Sequence, residues 1–247
     1  MHILLTNDDG VHAPGLFALL QALEVFAKVT IIAPAQNQSA AGHRKTLHKP
    51  LRLEPAKLSD GSPAWACSGA PSDCVALALL GFLKTKVDLV VSGINPHYNL
   101  GQDVTYSGTV TAALEAVQFG VPGIAVSTDH VLAADDYVQP AHIAAEVAQR
   151  LTHQPLPEGV VLSLNIPKTG ARGWRLTRQG RRVYRDELVV REDPRGKPYY
   201  WIGGEWPTGI ADEGTDIWAV EHGYASITPL DLDLTAHNAF EQLRHLE

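Results

Sequence analysis

The chain has 247 residues, 45% of them hydrophobic and 19% charged, which is enough apolar material for one large core with or without an appendage. A formal net charge of −7 excludes the Lys- and Arg-rich surfaces that DNA, RNA or an anionic membrane require, and points to a small-molecule partner. No apolar run approaches the roughly 20 residues that span a bilayer, and no basic-then-apolar leader opens the chain, so a cytoplasmic setting is expected.

The first predicted strand, His2–Thr6, runs straight into NDDG. Pro14 then opens a helix in which Leu16, Leu19, Leu20 and Leu23 recur at i, i+3, i+4 and i+7, one buried stripe. Residues 29–33 form a second strand leading into APAQNQS, and a helix is expected after APSDC. Residues 88–92 form a third strand, followed by SGIN. The next helix covers about 108–119, with Val110, Ala113, Leu114 and Val117 on one face and Gly120 as its stop. Strands at 123–127 and 160–165 flank a helix at 141–151. Short apolar strands alternating with helices predict parallel βαβ units, hence an α/β fold.

After Pro167 the chain turns basic, aromatic and strand-like, with DPRG as a turn. The division expected is a core over residues 1–168, then residues 169–247 with a β appendage, a last core strand and a closing helix. A hairpin carrying Tyr199, Tyr200 and Trp201 presents apolar surface and is expected at a subunit interface. In SITPLDLDLTAHNAFEQLRHL a strand, a proline stop and a helix are expected, and alternation places Asp231 and Asp233 on one strand face with a hinge or interface role. Cys67 and Cys74 fit no zinc spacing and read as reduced core thiols. His43, His48 and His237 read as surface or tail residues; Trp201, Trp206 and Trp218 read as packing residues, with room for one aromatic near the cleft to stack on a base.

An open parallel sheet binds ligands at the carboxyl ends of its strands, and TNDDG, APAQNQS and SGIN all fall there. Asp8 and Asp9 converge only if the chain has already left the strand, a turn for which Gly10 supplies the freedom. Adjacent carboxylates repel and call for a positive partner. An Asn and a hydroxyl nearby would complete an all-oxygen set suited to Mg²⁺ or Mn²⁺. Taken alone, NDDG reads first as a helix-capping turn. Ser107, Gly108 and Thr109 shift that balance, because a helix starting there offers free N–H groups and a positive dipole end to a phosphate. The chain carries neither a dinucleotide-loop glycine pattern after its first strand nor a Gly-x-x-x-x-Gly-Lys-Ser/Thr loop, which removes support for hydride transfer and ATP hydrolysis.

Together, ILLTNDDGVHAPG, SGIN followed by Asn99, Gly101 and Asp103, YSGTVTAALEA, DPRGKPYYWIGG and GTDIWAVEHGYASITPLDLDLT resemble the SurE family of survival-protein 5′-nucleotidases, over residues 1 to about 238. The resemblance implies a Rossmann-like, mainly parallel three-layer sandwich. It implies a metal-dependent phosphatase acting on nucleoside 5′-monophosphates, with 3′-monophosphates and short polyphosphates as further substrates. It also implies a homodimer or homotetramer built through the appendage and tail. On the family's pattern one Mn²⁺ or Mg²⁺ per subunit is held by Asp8, Asp9, Ser39 and Asn95, and Asn99, Ser107, Gly108 and Thr109 contact phosphate. The family usually has glycine where this chain has Ala40, His97 and Thr111, and His97 places an imidazole beside the expected site. Because the adjacent carboxylates differ from the Asp-x-Asp of aspartyl-phosphate phosphatases, water is the expected nucleophile rather than Asp8 or Asp9. Two other classes fit the same residues: a module that senses nucleotide or divalent cation without turnover, and a sugar transferase with an acidic metal motif.

Overall fold

A computed structural model describes residues 1–246. Strand β1 (His2–Thr6) places Ile3 and Leu5 on one face of the sheet and Leu4 on the other, all with no exposed surface. That two-residue alternation divides the core in two. Ile3 and Leu5 meet α1 (Pro14–Leu23) and α4 (Val138–Arg150), whereas Leu4 meets α2 (Pro71–Leu77) and α3 (Gly108–Gln118). The leucine stripe of α1 is buried as its spacing predicts, each side chain contributing roughly 2 kcal/mol. On α3 the expected stripe is only part of the buried surface: Leu114 and Val117 are half-buried, while Ala112, Glu115 and Ala116 are fully covered.

The main sheet runs in the order β3-β4-β2-β1-β5-β6-β7-β13-β8. Strands β2 (Lys28–Pro34), β5 (Leu89–Asn95), β6 (Gly123–Thr128) and β7 (Val160–Ile166) are parallel to β1, each slightly longer than expected. SGIN lies within β5 rather than after it, across a register shift between Ser92 and Asn95. An edge hairpin of β3 (Leu53–Lys57) and β4 (Pro63–Cys67) extends the sheet, and was not expected from sequence. At the other edge, β13 (Ala225–Asp231) runs antiparallel to β7 and parallel to β8 (Trp174–Leu176).

The expected proline stop is overturned, because Pro229 sits inside β13. It is tolerated there because β8 pairs only with Ala225, Ser226 and Ile227, leaving that edge open beyond them. Asp233 falls outside the strand, where its carboxylate accepts from the Thr235 N–H and pairs with His237, so it shares no strand face with Asp231. The closing helix shrinks to α6 (Phe240–Leu243) between 3₁₀ turns.

Beyond the sheet edge lie two ribbons: β9 (Arg181–Val183) with β12 (Thr208–Ile210), and β10 (Asp186–Glu192) with β11 (Pro198–Gly204). The DPRG turn joins β10 to β11, and Leu188, Val190, Tyr200, Trp201 and Ile202 are exposed on them. Cys67 and Cys74 are buried free thiols. Among the described residues no helix is long and apolar enough to cross a membrane.

Candidate active site

Strand β1 has β2 on one side and β5 on the other, and the helices that follow β1 and β5 pack on opposite faces of the sheet. The crevice between the carboxyl ends of β1 and β5 is therefore left open, the place where such sheets take ligands. Asn7 closes the NDDG turn, its Nδ2 donating to the Gly10 carbonyl at 2.9 Å and its Oδ1 accepting from the Gly10 N–H at 3.2 Å. Gly10 has φ +108°, a conformation L side chains avoid. Asp8 and Asp9 sit inside this turn, clear of the strand.

Asp8 is 3% exposed, wedged against the start of α3. The Thr109 hydroxyl donates to its Oδ1 at 2.5 Å, and a Cβ on Gly108 would stand 2.8 Å from the Asp8 Cβ, so only glycine fits. Burial raises the Asp8 pKa, and the hydroxyl and N–H of Thr109 act against that rise. Gly108 and Thr109 thus stand behind Asp8; of this trio Ser107 lines the cleft while its Oγ caps α3 by accepting from the Val110 N–H. The helix dipole that was expected to serve a phosphate also serves Asp8.

Asp9 has little compensation: its Oδ1 accepts only a long bond of 3.4 Å from the Asn37 amide. Its Oδ2 is buried with no hydrogen-bond partner, and burial together with the Asp8 charge pushes its pKa up to about 7. Neither carboxylate has an ion-pair partner among the described residues. Ser39 and Asn95 line the same cleft. The Asn95 amide nitrogen donates to the His97 carbonyl, which leaves its oxygen free to act as a ligand. An orphaned carboxylate oxygen surrounded by carboxylate, hydroxyl and amide oxygens fits a hard divalent cation. No group of three or more His, Cys, Asp or Glu converges among the described residues.

In metal-free protein the sign of the Asp9 effect is fixed by its raised pKa. The proton-bound form stabilises the fold, fully below the ordinary 3.8 and less as pH climbs through about 7. Melting temperatures in chelator should therefore fall from pH 5 to pH 8 in the native protein and fall less in Asp9→Asn; parallel curves would contradict this account.

The cleft holds about 470 Å³. Asn99 lines it too, its N–H donating to Asn165 Oδ1 at 2.8 Å and its amide nitrogen to Ser127 Oγ at 2.7 Å, so the ends of β6 and β7 fix its position. His97 stacks on His130 and lies tilted against Trp206, with centroids 5.6 Å apart in each pair. Burial, with His130 adding to it, lowers the His97 pKa. Trp206 is 78% exposed and faces the cleft, whereas Trp218 stacks on His222 and Tyr224, and Trp201 is exposed on β11.

The appendage supplies a wall that sequence reading missed. Arg182 Nε pairs with Asp103 Oδ2 at 2.8 Å, and the Tyr184 hydroxyl donates to Asp103 Oδ1 at 2.6 Å. Behind it, Asp216 at the start of α5 (Asp216–Glu221) accepts from the N–H groups of Gly101 at 2.8 Å, Gly180 at 2.7 Å and Ile217 at 2.8 Å. Neither residue sits in a motif whose spacing announces a contact with β5 loops. A second cavity, of about 460 Å³, lies at the amino ends of β5 and β6, remote from Asp8 and Asp9.

The profile for Survival protein SurE matches residues 3–186. The chain belongs to the SurE family. It is 52% identical to the 5′-nucleotidase SurE of Chloroflexus aggregans over 251 aligned residues, covering 100% of this chain and 99% of that one. The 5′-nucleotidase SurE of Herpetosiphon aurantiacus is 50% identical over 239 residues, covering 95% and 94%. The crystal structure of the SurE protein from Aquifex aeolicus superposes with a TM-score of 0.82 at 37% identity, covering 100% of this chain and 99% of that one. The mainly parallel α/β fold expected from sequence is therefore the SurE fold.

Proposed function

We propose that this SurE protein is a divalent-cation-dependent 5′-nucleotidase, releasing phosphate from nucleoside 5′-monophosphates, with one Mn²⁺ or Mg²⁺ per subunit held by Asp8, Asp9, Ser39 and Asn95. The observation that carries the reading is the buried, unpartnered Asp9 oxygen beside Asp8, set among oxygen donors next to the start of α3. Bound there, such a cation supplies Lewis-acid polarisation of the phosphoryl oxygens.

The chain's own groups do the rest. Ser107 and the start of α3 receive the phosphoryl group, and Asn99, held by Ser127 and Asn165, bounds it from the same cleft. Asp8 is nearly sealed from solvent with one oxygen tied to Thr109, so water is the better nucleophile. 3′-monophosphates and short polyphosphates belong to the same proposal, because the group gripped is the phosphoryl. The His130–His97–Trp206 row is the wall for the nucleobase. Trp206→Ala should raise KM for AMP by about ten-fold, in line with base stacking, and leave ribose 5-phosphate hydrolysis unchanged; equal effects on both would remove the base from that wall.

The exposed apolar residues of β10 and β11 support a homodimer or homotetramer through the appendage. Free buried thiols and the acidic net charge support a cytoplasmic setting, with no nucleic-acid polymer or membrane as partner. The deciding experiment is phosphate release from a panel of nucleoside 5′- and 3′-monophosphates with Mn²⁺, Mg²⁺ or chelator. Cation-dependent release supports the enzyme; binding without release under every cation makes the protein a nucleotide sensor.

A further inference from the structure

Ser39 stands in a long segment between β2 and β3 that has no regular structure of its own. Its backbone is left-handed at Ala40, with φ 56°, and at Gly42, with φ 57°. Ala40 holds that conformation only if its surroundings impose it. Part of the constraint is direct, since the Gln38 N–H donates to the Asp8 carbonyl at 2.7 Å and the Gly42 N–H to the Tyr106 carbonyl at 3.1 Å, and the rest comes from α3. Glu115, with 1% of its side chain exposed, accepts from His43 Nε2 at 2.8 Å through one oxygen, and its other oxygen forms an ion pair with Lys45 Nζ at 3.0 Å. One turn earlier, the Thr111 hydroxyl shares its single proton between the Ser107 carbonyl of its own helix at 2.8 Å and the Gly42 carbonyl at 3.0 Å. Burial alone would raise the Glu115 pKa, but the bonds from His43 and Lys45 outweigh it and hold the carboxylate ionised.

We infer that Glu115 and Thr111 are positioning residues for the cation: they strap the segment carrying Ser39 onto the same helix whose first turn holds Asp8. The inference rests on the metal site proposed above and extends it. An ionised carboxylate buried at the middle of a helix is costly unless paired; besides Gln118 of the same helix, its two partners, His43 and Lys45, lie within six residues of Ser39. Thr111 sits where the resemblance leads one to expect glycine, which offers no hydroxyl, so this chain carries a tie that a glycine there would lack. Helix α3 thereby adds to the direct Gln38–Asp8 backbone bond in holding the two halves of the ligand set together: Thr109 grips Asp8 at one end, and Thr111 and Glu115 grip the Ser39 segment further along.

The test is Mn²⁺ binding to the full chain, followed by the electron paramagnetic resonance signal of free Mn²⁺, in native protein, Glu115→Gln, Thr111→Val and Asp8→Asn, each checked for an unchanged far-UV spectrum. The dissociation constant for Mn²⁺ should rise about ten-fold in Glu115→Gln, as when a residue that orients a ligand is lost, and by a smaller factor in Thr111→Val. KM for AMP at saturating Mn²⁺ should stay within about two-fold. Thr111→Val keeps the side-chain shape and gives the answer if Glu115→Gln does not fold. Binding abolished by Asp8→Asn but unchanged in the other variants overturns the strap alone. Binding unchanged in Asp8→Asn overturns the metal placement and the strap with it.

Discussion

Asp8→Asn should lower phosphate release from AMP at saturating Mn²⁺ by roughly 10²–10³-fold, the scale of removing one charged group aimed at a developing anion. The argument is local. Asp8 is almost completely buried, with Gly108 pressed on its Cβ and Thr109 on its Oδ1, so an amide of nearly the same shape fits the space without disturbing the turn. What changes is charge, and with it the hold on the cation. The amide must also place either its oxygen or its nitrogen toward the Thr109 hydroxyl, so one of its contacts is wrong in either orientation. Activity should therefore fall while the folded state survives, and steady-state assays across a Mn²⁺ titration separate the loss of cation affinity from the loss of turnover. A variant retaining more than a tenth of native activity at every Mn²⁺ concentration would remove Asp8 from the site.

The largest expected loss of stability belongs to a residue that touches no substrate. Asp216 gathers three backbone N–H groups from three separate segments: Gly101 beside the cleft, Gly180 leading into β9, and Ile217 in α5. Asp216→Ala leaves all three donors buried without an acceptor, at a cost of roughly 3–5 kcal/mol. For a chain of this size that is a fall of about 10 °C in Tm. The same loss frees the Gly101–Thr105 turn, so the Arg182–Asp103 wall should loosen and KM for AMP rise. Thermal melts and urea titrations check the first claim; a Tm within about 2 °C of native would show that water or a neighbour satisfies those donors.

How much of this was legible in the sequence depended on distance along the chain. Strands buried on both faces announce themselves as apolar runs, and the leucine spacing of α1 allowed one reading. The β3–β4 hairpin did not show, because LEPAK and PAWAC each carry a proline and neither alternates; their pairing is an edge effect that only the neighbouring β2 makes worthwhile. Pro229 misled for the opposite reason, since proline ends a strand only where a partner needs its missing N–H, and β8 is too short to ask for it.

Within the site, the segments that hold Asp8, Asp9, Ser39 and Asn95 could be brought together from strand ends, because a parallel sheet sends all its carboxyl ends to one edge, but the choice of Ser39 and Asn95 within them came from the family resemblance. Arg182, Trp206 and Asp216 could not, since they reach that edge from an appendage whose path no periodicity encodes. Glu115 was hidden differently. In an alanine-rich helix a lone glutamate reads as its solvent side, yet α3 is enclosed by the sheet, α2 and the Ser39 segment, and has almost no solvent side to offer.

The placement of β13 bears on how the molecule comes to exist at all. This strand, near the carboxyl terminus, slots between β7 and β8, and β8 pairs with nothing else in the main sheet among the described residues. While the chain is still emerging from the ribosome, β7 must wait with one edge bare and β8 has no place to dock. The ribbons that carry Arg182 and Trp206 hang from β8, so the far wall of the cleft can settle only after the closing strand has threaded into its gap. Synthesis of the first hundred residues already supplies Asp8, Asp9, Ser39 and Asn95, but a nascent or truncated chain ending before Ala225 holds them in a pocket with one side missing. Catalytic competence thus waits for β13 to be made, and the waiting edge of β7 is where an unfinished chain is most exposed to pairing with a stranger.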